Sequence, residues 1–339
     1  MKVITLESPL KIGIKKNIPM PERKNDNEVL IKVRALGICG SDIGAYRGVN
    51  PTVSYPRIIG HEIGGEVVEI GENSKGIVVG DRVVLEPYLP CYQCYPCSIG
   101  RTNCCEQLKV LGVQTDGGMA EYVSHPLNLV HVVPAEMEWQ EVAMIEPLTI
   151  ALHANHRARV KEGEHVLIIG AGAIGLLAAQ VAMVYGAVPI VLDVEEKRLT
   201  LAKEIGIPHT LHPAQGNVIQ QLSIITKGRM AEVVIEVSGA KGAIFGMFDY
   251  VSAAGRIALV GWPNGETPLP TAVITKKELD IVGSLTSVNE FPEAIALLQK
   301  KRVKVHEIIS RVVTFDEIPD AVMNMAGFPD KFVKVVAVL

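Results

Sequence analysis

The stretch from His165 to Asp193 constrains the fold more than any other part of this 339-residue chain. It reads as a short apolar strand, HVLIIG, a glycine-rich turn, GAGAIG, a helical run, LLAAQVAMVYGA, and a second strand, VPIVLD, that ends in an acid. A G-x-G-x-x-G turn alone is a weak signal. A strand before it, a helix after it and an acid about 20 residues on are together the context of a dinucleotide-binding turn. The segment therefore predicts a parallel sheet covered by helices.

Each glycine of this turn has a predicted role. We expect Gly170 to make the tight turn, Gly172 to let a pyrophosphate approach the backbone, and Gly175 to let helix and strand pack closely. Asp193 would accept hydrogen bonds from the adenine-ribose hydroxyls and repel a 2′-phosphate, which favours NAD over NADP; its alternative role is the N-cap of a helix in VEEKRLTLAKEIG. The full set of expected cofactor-binding residues is Gly170, Gly172, Ala173, Ile174, Gly175, Asp193 and Arg198.

The alternation of strands and helices continues beyond this turn. We predict a helix at NVIQQLSIITKG, a strand at EVVIEVSG, a helix at GAIFGMFDYVSAAG, and strands at RIALVGW and LDIVGSL. These elements predict a Rossmann-type, doubly wound parallel sheet of about six strands over residues 149–283. Short β runs with Gly/Pro turns predict a β-rich domain over residues 1–148. Residues 284–339 would complete it with a helix at EFPEAIALLQKK and a strand at FVKVVAVL.

A cysteine cluster predicts a structural metal site. Five of the six cysteines lie in CYQCYPCSIGRTNCC. The spacing Cys91-x2-Cys94-x2-Cys97-x7-Cys105 offers four thiolates in a loop rich in proline and glycine, which is typical of a closed, tetrahedral structural zinc site. Cys104 is the spare thiol, since Cys105 ends a G-x-x-N-x-C pattern. The alternative, an exposed reduced loop, would be prone to oxidation.

A second donor set is spread over three apolar segments. Cys39 follows the run EVLIKVRALGI, His61 and Glu62 follow IIG, and Glu146 lies within AMIEPLTIALHA. An acid in an apolar run is costly unless it is paired or bound to a metal. Three protein ligands, with Glu146 or a water in fourth place, would form an open zinc site that polarises an alcohol for hydride transfer to NAD. The alternatives are a buried structural thiol, a satisfied core histidine and a surface acid.

At these residues the chain resembles the zinc-dependent medium-chain dehydrogenases, in the branch of sorbitol and threonine dehydrogenases. The resemblance follows GICGSD, GHE, GDRV, the cysteine loop, GGMAEY, IEPL and GAGAIG, in that order. It implies a GroES-like catalytic domain beside the Rossmann domain, and a homo-oligomer that is a dimer or a tetramer. It also implies a catalytic zinc on Cys39, His61 and Glu62, with Glu146 in or near the ligand set. Ser41 matches the family's proton-relay hydroxyl; its alternative is a turn residue.

Substrate residues are less clearly marked in the sequence. Gly44 stands where the family often ends its proton relay with histidine, and Thr286 stands where sorbitol dehydrogenases tend to carry arginine. Arg47 supplies a different cation near Cys39, and arginine binds carboxylates in a bidentate manner; its alternative is a solvated loop charge. These features resemble the sugar-acid oxidoreductases that oxidise the C5 hydroxyl of L-gulonate or L-galactonate. L-Threonine 3-dehydrogenase and sorbitol or another polyol dehydrogenase remain the alternatives.

Composition limits the partners. The formal net charge is −4 and no basic run is present, so we expect no nucleic-acid partner. No run reaches the roughly 18 apolar residues that a membrane span needs, and no signal peptide is recognisable. A cytoplasmic location, where thiols stay reduced, is expected for a chain with this cysteine cluster. The predicted partners are a small-molecule sugar acid or polyol, NAD and two zinc ions per subunit.

Overall fold

The computed structural model describes residues 1–263 and 265–339, and these residues form two compact units. The first unit comprises Met1–Glu146, Phe291–Lys300 and Ile309–Leu339. The second unit comprises Pro147–Glu290 and Lys301–Ile308. Each unit is therefore built from separate segments of the chain.

Strands and helices are numbered here in chain order. The strands are Val3–Ser8 (β1), Lys11–Lys15 (β2), Glu28–Ile38 (β3), Arg57–Ile58 (β4), Glu62–Ile70 (β5), Arg82–Leu85 (β6), Tyr88–Leu89 (β7), Lys109–Val110 (β8), Tyr122–Pro126 (β9), Val130–Val132 (β10), His165–Ile169 (β11), Val188–Leu192 (β12), His209–Leu211 (β13), Ala231–Glu236 (β14), Val251–Leu259 (β15), Asp280–Gly283 (β16), Ile309–Val313 (β17) and Lys334–Val338 (β18). The helices are Gly40–Tyr46 (α1), Tyr95–Ser98 (α2), Trp139–Ala143 (α3), Ile145–Ala158 (α4), Ala173–Val184 (α5), Glu196–Glu204 (α6), Val218–Ile225 (α7), Lys241–Tyr250 (α8), Thr271–Lys277 (α9), Phe291–Gln299 (α10) and Ile318–Gly327 (α11).

The longest strand, β3, organises the first unit. In the largest sheet of the described residues the strand order is β10-β6-β5-β3-β18-β17, with β9 also paired to β3. Val29, Ile31 and Val33 of β3 are buried, and Lys32 and Arg34 alternate with them at partly exposed positions. This period-two pattern is that of a strand with one face on a hydrophobic core. At its carboxyl end, from Ala35 to Ile38, every residue is buried, so the strand delivers Cys39 from the interior of the unit.

The second unit is a parallel α/β structure. Its sheet has the order β13-β12-β11-β14-β15-β16 within the described residues, and every pairing is parallel. The run from Val166 to Ile169 in β11 is buried throughout, as expected where helices cover both faces of a parallel strand. The predicted doubly wound sheet of six strands is present.

Two boundaries differ from the sequence-based predictions. Helix α8 ends at Tyr250 and β15 begins at Val251, although the predicted helix ran on through VSAAG. Val251 pairs with Ala231 of β14 and is fully buried, so sheet pairing overrides the helical pattern. Residues 284–290 and 301–308 belong to the second unit, although the prediction assigned them to the first domain.

Hydrogen bonds account for these two segments. The Ser284 N–H donates to the carbonyl of Leu259 at 2.9 Å, which extends the parallel ladder beyond β16. The backbone of Lys304 exchanges two hydrogen bonds with the Gln180 side-chain amide, at 2.7 and 3.0 Å. Such contacts join residues that are far apart in sequence, so the hydrophobic periodicity of the sequence does not predict them.

None of the helices in residues 1–263 and 265–339 is both long and apolar enough to cross a bilayer.

Candidate active site

Three metal donors meet where β3 ends and β5 begins. Cys39 follows the last residue of β3, and His61 precedes Glu62, the first residue of β5. The ligand atoms of Cys39, His61 and Glu62 lie within 4.8 Å of one another, and Nδ1 of buried His61 has no hydrogen-bond partner in the described residues. Sulfur, nitrogen and carboxylate oxygen this close together, with two of the three residues buried, suit the coordination preferences of zinc. The residues therefore fit the predicted metal.

Asp42 holds the two ligand-bearing segments together. Its carboxylate is buried and accepts the N–H groups of Cys39 at 2.9 Å and Gly60 at 3.2 Å. One of its oxygens lies 4.0 Å from Nδ1 of His61. Burial raises the pKa of Asp42, while His61 and the Cys39 N–H oppose the rise. The sequence reasoning gave Asp42 no role, although an acid three residues after a ligand cysteine is a detectable signal for a carboxylate that orients a histidine ligand.

Glu62 is bound by a lysine from β18, the strand on the other side of β3. The Nζ of Lys334, the first residue of β18, donates to Oε1 of Glu62 and forms an ion pair with Oε2, and both side chains are almost fully buried. Burial lowers the pKa of Lys334, but the attraction of Glu62 outweighs it and the net shift is upward. The sequence reasoning also missed Lys334. Its only signal is a lysine that opens the apolar run KVVAV.

Glu146 lies beside the three donors. It is the second residue of α4, it is 1% exposed, and it accepts a hydrogen bond from the buried Tyr88 hydroxyl. Burial and the neighbouring Glu62 carboxylate raise the pKa of Glu146 to about 7, against the opposing influence of His61 and of the Tyr88 hydrogen bond. A divalent cation favours the ionised carboxylate, so it would displace the proton that burial retains.

The pKa of His61 is likewise set by burial and by the charged groups around it. Burial lowers the pKa of His61, but Cys39, Asp42 and Glu146 outweigh it and raise the pKa well above its usual range. A cation at this position would take the place of that proton. Ser41 Oγ lies 3.5 Å from Nε2 of His61, so the predicted relay hydroxyl is adjacent to a predicted ligand.

The predicted substrate residue Arg47 follows the helix that begins after Cys39. Arg47 is exposed, and one of its guanidinium N–H groups donates to the backbone carbonyl of Ala326 in α11. A Cβ built on Gly44 would find its nearest neighbour 3.8 Å away, in Asn50, so a Cβ fits there without a clash. Thr286 belongs to the second unit and adopts a left-handed backbone conformation with φ of 46°.

The cysteine loop forms a second donor cluster. The Sγ atoms of Cys91, Cys94, Cys97 and Cys105 all lie within 4.8 Å of one another. Cys104 lies outside this set among the described residues, in agreement with the choice of Cys105. Hydrogen bonds from the N–H groups of Gln93 and Cys94 lower the pKa of Cys91 to about 6, which favours the thiolate that zinc requires. Four thiolates leave no open position, so this site holds the loop together.

The dinucleotide turn has the geometry that its glycines predict. Gly170 has φ of 111°, a region in which residues with a side chain are strained. A Cβ on Gly175 would lie 1.8 Å from the Gly170 carbonyl oxygen, whereas one on Gly172 would meet nothing within 4 Å. Gly172 is the N-cap of α5, and Ala173 and Ile174 form its first turn. The turn therefore leaves free space in front of a helix N-terminus, where a phosphate is favoured.

Asp193 connects this turn to the second strand. It follows β12 and its Oδ2 accepts the Ala171 N–H at 2.5 Å, while its Oδ1 accepts the Glu195 N–H at 2.8 Å. Glu195 is the N-cap of α6, so the alternative N-cap role of Asp193 is not observed. Arg198 NH1 lies 3.9 Å from Asp193 Oδ2. The acid and the arginine are thus neighbours at the edge where a ribose is expected.

Two family models match different parts of the chain. Residues 25–135 match the alcohol dehydrogenase GroES-like domain, and residues 173–300 match the zinc-binding dehydrogenase family. An uncharacterised zinc-type alcohol dehydrogenase-like protein of Haemophilus influenzae is 53% identical over 100% of this chain and 98% of its own length. The chain belongs to the zinc-dependent medium-chain alcohol dehydrogenase family. This dehydrogenase therefore has the predicted fold class, a GroES-like β-rich domain with a Rossmann domain, and it is an oxidoreductase.

Other relatives indicate the branch and the cofactors of the dehydrogenase. The L-galactonate-5-dehydrogenase of Escherichia coli is 39% identical over 86% of this chain and 84% of its own length. The alcohol dehydrogenase rspB of E. coli, solved with NADH, is 36% identical with a TM-score of 0.92, over 100% of this chain and 99% of that one. A zinc-binding dehydrogenase of Sinorhizobium meliloti bound to NADP is 31% identical with the same TM-score and coverage. The dehydrogenase thus carries a four-cysteine structural zinc site, a Cys/His/Glu catalytic zinc site and a nicotinamide dinucleotide site.

Proposed function

We propose that this dehydrogenase oxidises a secondary hydroxyl of a sugar acid, of the L-gulonate or L-galactonate type, with NAD as the hydride acceptor. The similarity to an L-galactonate-5-dehydrogenase supports the substrate class. The observation that carries the proposal is the position of Arg47 at the end of the helix that begins after Cys39. Threonine and polyols such as sorbitol are the alternative substrates.

Helix α1 sets the distance between the metal ligand and the arginine. Arg47 lies eight positions after Cys39, which at about 1.5 Å per residue corresponds to a rise of about 12 Å. An extended arginine side chain and the five-carbon span of a sugar acid each cover about 6 Å at C–C bonds of about 1.5 Å. A carboxylate could therefore be bound by Arg47 while the C5 hydroxyl is held near Cys39. The bond to Ala326 uses one of five guanidinium N–H groups and leaves others for a ligand.

The residues around the metal site can hold a zinc ion that polarises the substrate hydroxyl, and they can accept the hydroxyl proton. Zinc bound by Cys39, His61 and Glu62 would act as a Lewis acid toward the substrate hydroxyl. Ser41 Oγ can accept the hydroxyl proton and donate its own onward, because a hydroxyl is both donor and acceptor. Asp42 binds the N–H groups of Cys39 and Gly60 beside the ligands, and Tyr88 holds Glu146 by its hydrogen bond. We assign Ser41 the first step of proton release.

NAD is the proposed coenzyme because of Asp193. Its carboxylate can accept hydrogen bonds from the ribose hydroxyls, and its charge opposes a 2′-phosphate. Gly172 would let the pyrophosphate approach the first turn of α5, while Gly170 and Gly175 shape the turn and its packing. Arg198 would contact the same ribose beside Asp193.

A kinetic comparison of substrates tests the proposal. We expect NAD reduction with L-gulonate or L-galactonate at higher kcat/KM than with sorbitol, threonine or simple alcohols. A charge-assisted hydrogen bond contributes about 1.5–3 kcal/mol, so Arg47→Ala should lower kcat/KM for the sugar acid by roughly tenfold to more than a hundredfold. Arg47→Lys should recover part of the loss, because a point charge cannot form the bidentate contact.

Two controls separate carboxylate binding from structural damage. Turnover of sorbitol by Arg47→Ala should stay near the wild-type value, whereas loss of the Ala326 contact alone would lower both reactions equally. Arg57 forms an ion pair with Asp116 at 3.1 Å in the same unit, and Arg57→Ala should leave the substrate preference unchanged. Poor turnover of both sugar acids beside sorbitol or threonine would reject the substrate class.

We also propose that the enzyme is a dimer or a tetramer and works in the cytoplasm. All six cysteines are free thiols, and the four that bind structural zinc need a compartment in which thiols stay reduced. Light scattering of the purified, zinc-loaded protein would give the subunit number, and a monomeric mass would contradict the first statement.

A further inference from the structure

Lys334 lies in a place where a lysine is costly. Its side chain is 4% exposed and contacts Glu62, a predicted zinc ligand 272 residues earlier in the chain. A buried ammonium must be paired, because its desolvation penalty amounts to several kcal/mol. Its partner Glu62 is also expected to bind the zinc. The question is why a zinc ligand is paired with a buried lysine.

The strand order explains how the two side chains meet. Val336 of β18 and Glu62 of β5 both pair with Gly37 of β3, from opposite sides. Alternate residues of a strand share a face, so Lys334, Gly37 and Glu62 all lie on one face of the sheet. Neighbouring strands are about 4.8 Å apart, so the backbones of β18 and β5 are separated by nearly 10 Å. Lys334 and Glu62 therefore meet above β3.

Gly37 leaves the space for this contact. A Cβ at position 37 would lie 1.7 Å from Oε2 of Glu62 and 2.8 Å from its Cδ. Any side chain there would push the carboxylate away from its present position. The absence of a side chain in β3 thus lets the ammonium and the carboxylate bond to each other across the strand.

The contact between Lys334 and Glu62 affects the balance of charge at the metal site. The thiolate of Cys39 and the carboxylates of Asp42, Glu62 and Glu146 can carry four negative charges, two more than a divalent cation neutralises. The ammonium of Lys334 supplies one of the missing positive charges, and uncompensated buried charge is strongly unfavourable. Lys334 can do this without occupying a coordination position, since lysine donates hydrogen bonds and its protonated amine has no lone pair.

We propose that Lys334 is a positioning residue that holds the Glu62 carboxylate in place for the catalytic zinc and so determines how firmly that zinc is retained. The proposal rests on the zinc site described above and is independent of which alcohol is oxidised. Outer groups that orient metal ligands typically contribute 10–100-fold to metal affinity. The same range is expected for Lys334.

Zinc release from the loaded enzyme tests this role without any substrate. Protein with two zinc ions per subunit is mixed with a chromogenic chelator, and the release of each ion is followed. In Lys334→Met we expect one of the two ions to leave about 10–100-fold faster than in wild type, with the other unchanged. Lys334→Arg keeps the charge and should restore most of the retention. Release from Lys334→Met at the wild-type rate would overturn the proposal.

A matched control uses another ion pair of the same sheet. Arg34 of β3 binds Glu66 of β5 at 3.0 Å, at a partly exposed position. Arg34→Met removes a cation and its carboxylate contact without touching the metal site. Both zinc ions should be released from it as from wild type. Faster release from this variant would mean that any lost ion pair loosens the sheet, and the proposal would fall.

A double substitution covers the case in which Lys334→Met does not fold. That variant leaves Glu62 buried without its cation, whereas Glu62→Gln with Lys334→Met removes both charges. If Lys334 acts through the Glu62 carboxylate, the double variant should release zinc at the same rate as Glu62→Gln alone. Further acceleration on adding Lys334→Met would show that Lys334 acts elsewhere, and it would refute the positioning role.

Discussion

Replacement of Asp193 should convert the coenzyme preference of this enzyme. Asp193→Ser removes the carboxylate that is expected to accept the adenine-ribose hydroxyls. Hydrogen bonds to a charged group contribute about 1.5–3 kcal/mol. The affinity for NADH should therefore fall by roughly tenfold to more than a hundredfold. NADPH should bind more tightly in the same variant, because two unit charges 4 Å apart repel by about 4 kcal/mol at an effective dielectric constant near 20.

The structure adds a second effect that has to be separated from the first. Asp193 also accepts the N–H groups of Ala171 and Glu195, at 2.5 and 2.8 Å. Losing the Ala171 bond loosens the glycine turn, which would weaken both coenzymes alike. The ratio of the two affinities cancels this common loss. Asp193→Asn is the matched variant, since it keeps an acceptor oxygen and the size of the side chain while it removes the charge.

Calorimetric titration of NADH and NADPH gives both affinities without a substrate. We expect the ratio of NADPH to NADH affinity to rise by at least a hundredfold in Asp193→Ser, and by a smaller factor in Asp193→Asn. A ratio that stays within a few-fold of wild type in both variants would show that Asp193 only supports the turn. Wild-type protein that binds NADPH as well as NADH would refute the reasoning from the start.

Three further predictions concern metal and stability. Cys94→Ser should leave one zinc per subunit in a metal assay and lower the unfolding temperature, because structural zinc contributes folding energy; retention of both ions would contradict this. Asp42→Asn should weaken the catalytic zinc about 10–100-fold in a chelator competition, since it removes the negative charge beside His61 and one of the two oxygens that accept the N–H groups of Cys39 and Gly60; equal loss of both ions would point to general unfolding instead. Burial lowers the pKa of His125 to about 4, so the unfolded chain binds the proton first and stability should fall by about 2 kcal/mol from pH 7 to pH 5. His125→Gln should flatten this dependence in urea titrations, and a slope equal to wild type would exclude His125 as its source.

The sequence contained the local parts of both metal sites. The four loop cysteines lie within fifteen residues, so their spacing alone predicted a closed site, and the structure brings their Sγ atoms together. The glycine turn could also be predicted from the sequence, because each glycine meets a local steric requirement. Cys39, His61 and Glu62 were found through their segments and the family resemblance, and the pairing of β3 with β5 joins them.

Residues that act through long-range pairing escaped the sequence reasoning. Lys334 reaches Glu62 only because β18 pairs with β3, and no local pattern specifies that pairing. Gly37 gave no signal, since a glycine in a strand has several possible causes. Arg47 was proposed for the substrate from its closeness to Cys39 in sequence. Its contact with Ala326 depends on the packing of α1 against α11.

The sequence distance between contacting residues determines when each metal site can form during synthesis of the enzyme. Cys91 and Cys105 are 14 residues apart, so the cysteine loop closes at small entropic cost and can take up its zinc while synthesis continues. Glu62 and Lys334 are 272 residues apart, so Lys334 is translated long after the ligand that it contacts. The edge of β3 that β18 will cover stays open until then, together with a donor set that lacks its balancing cation. Loading of the two zinc ions should therefore be ordered in time, with the ion that shapes the loop first and the ion that does the chemistry last.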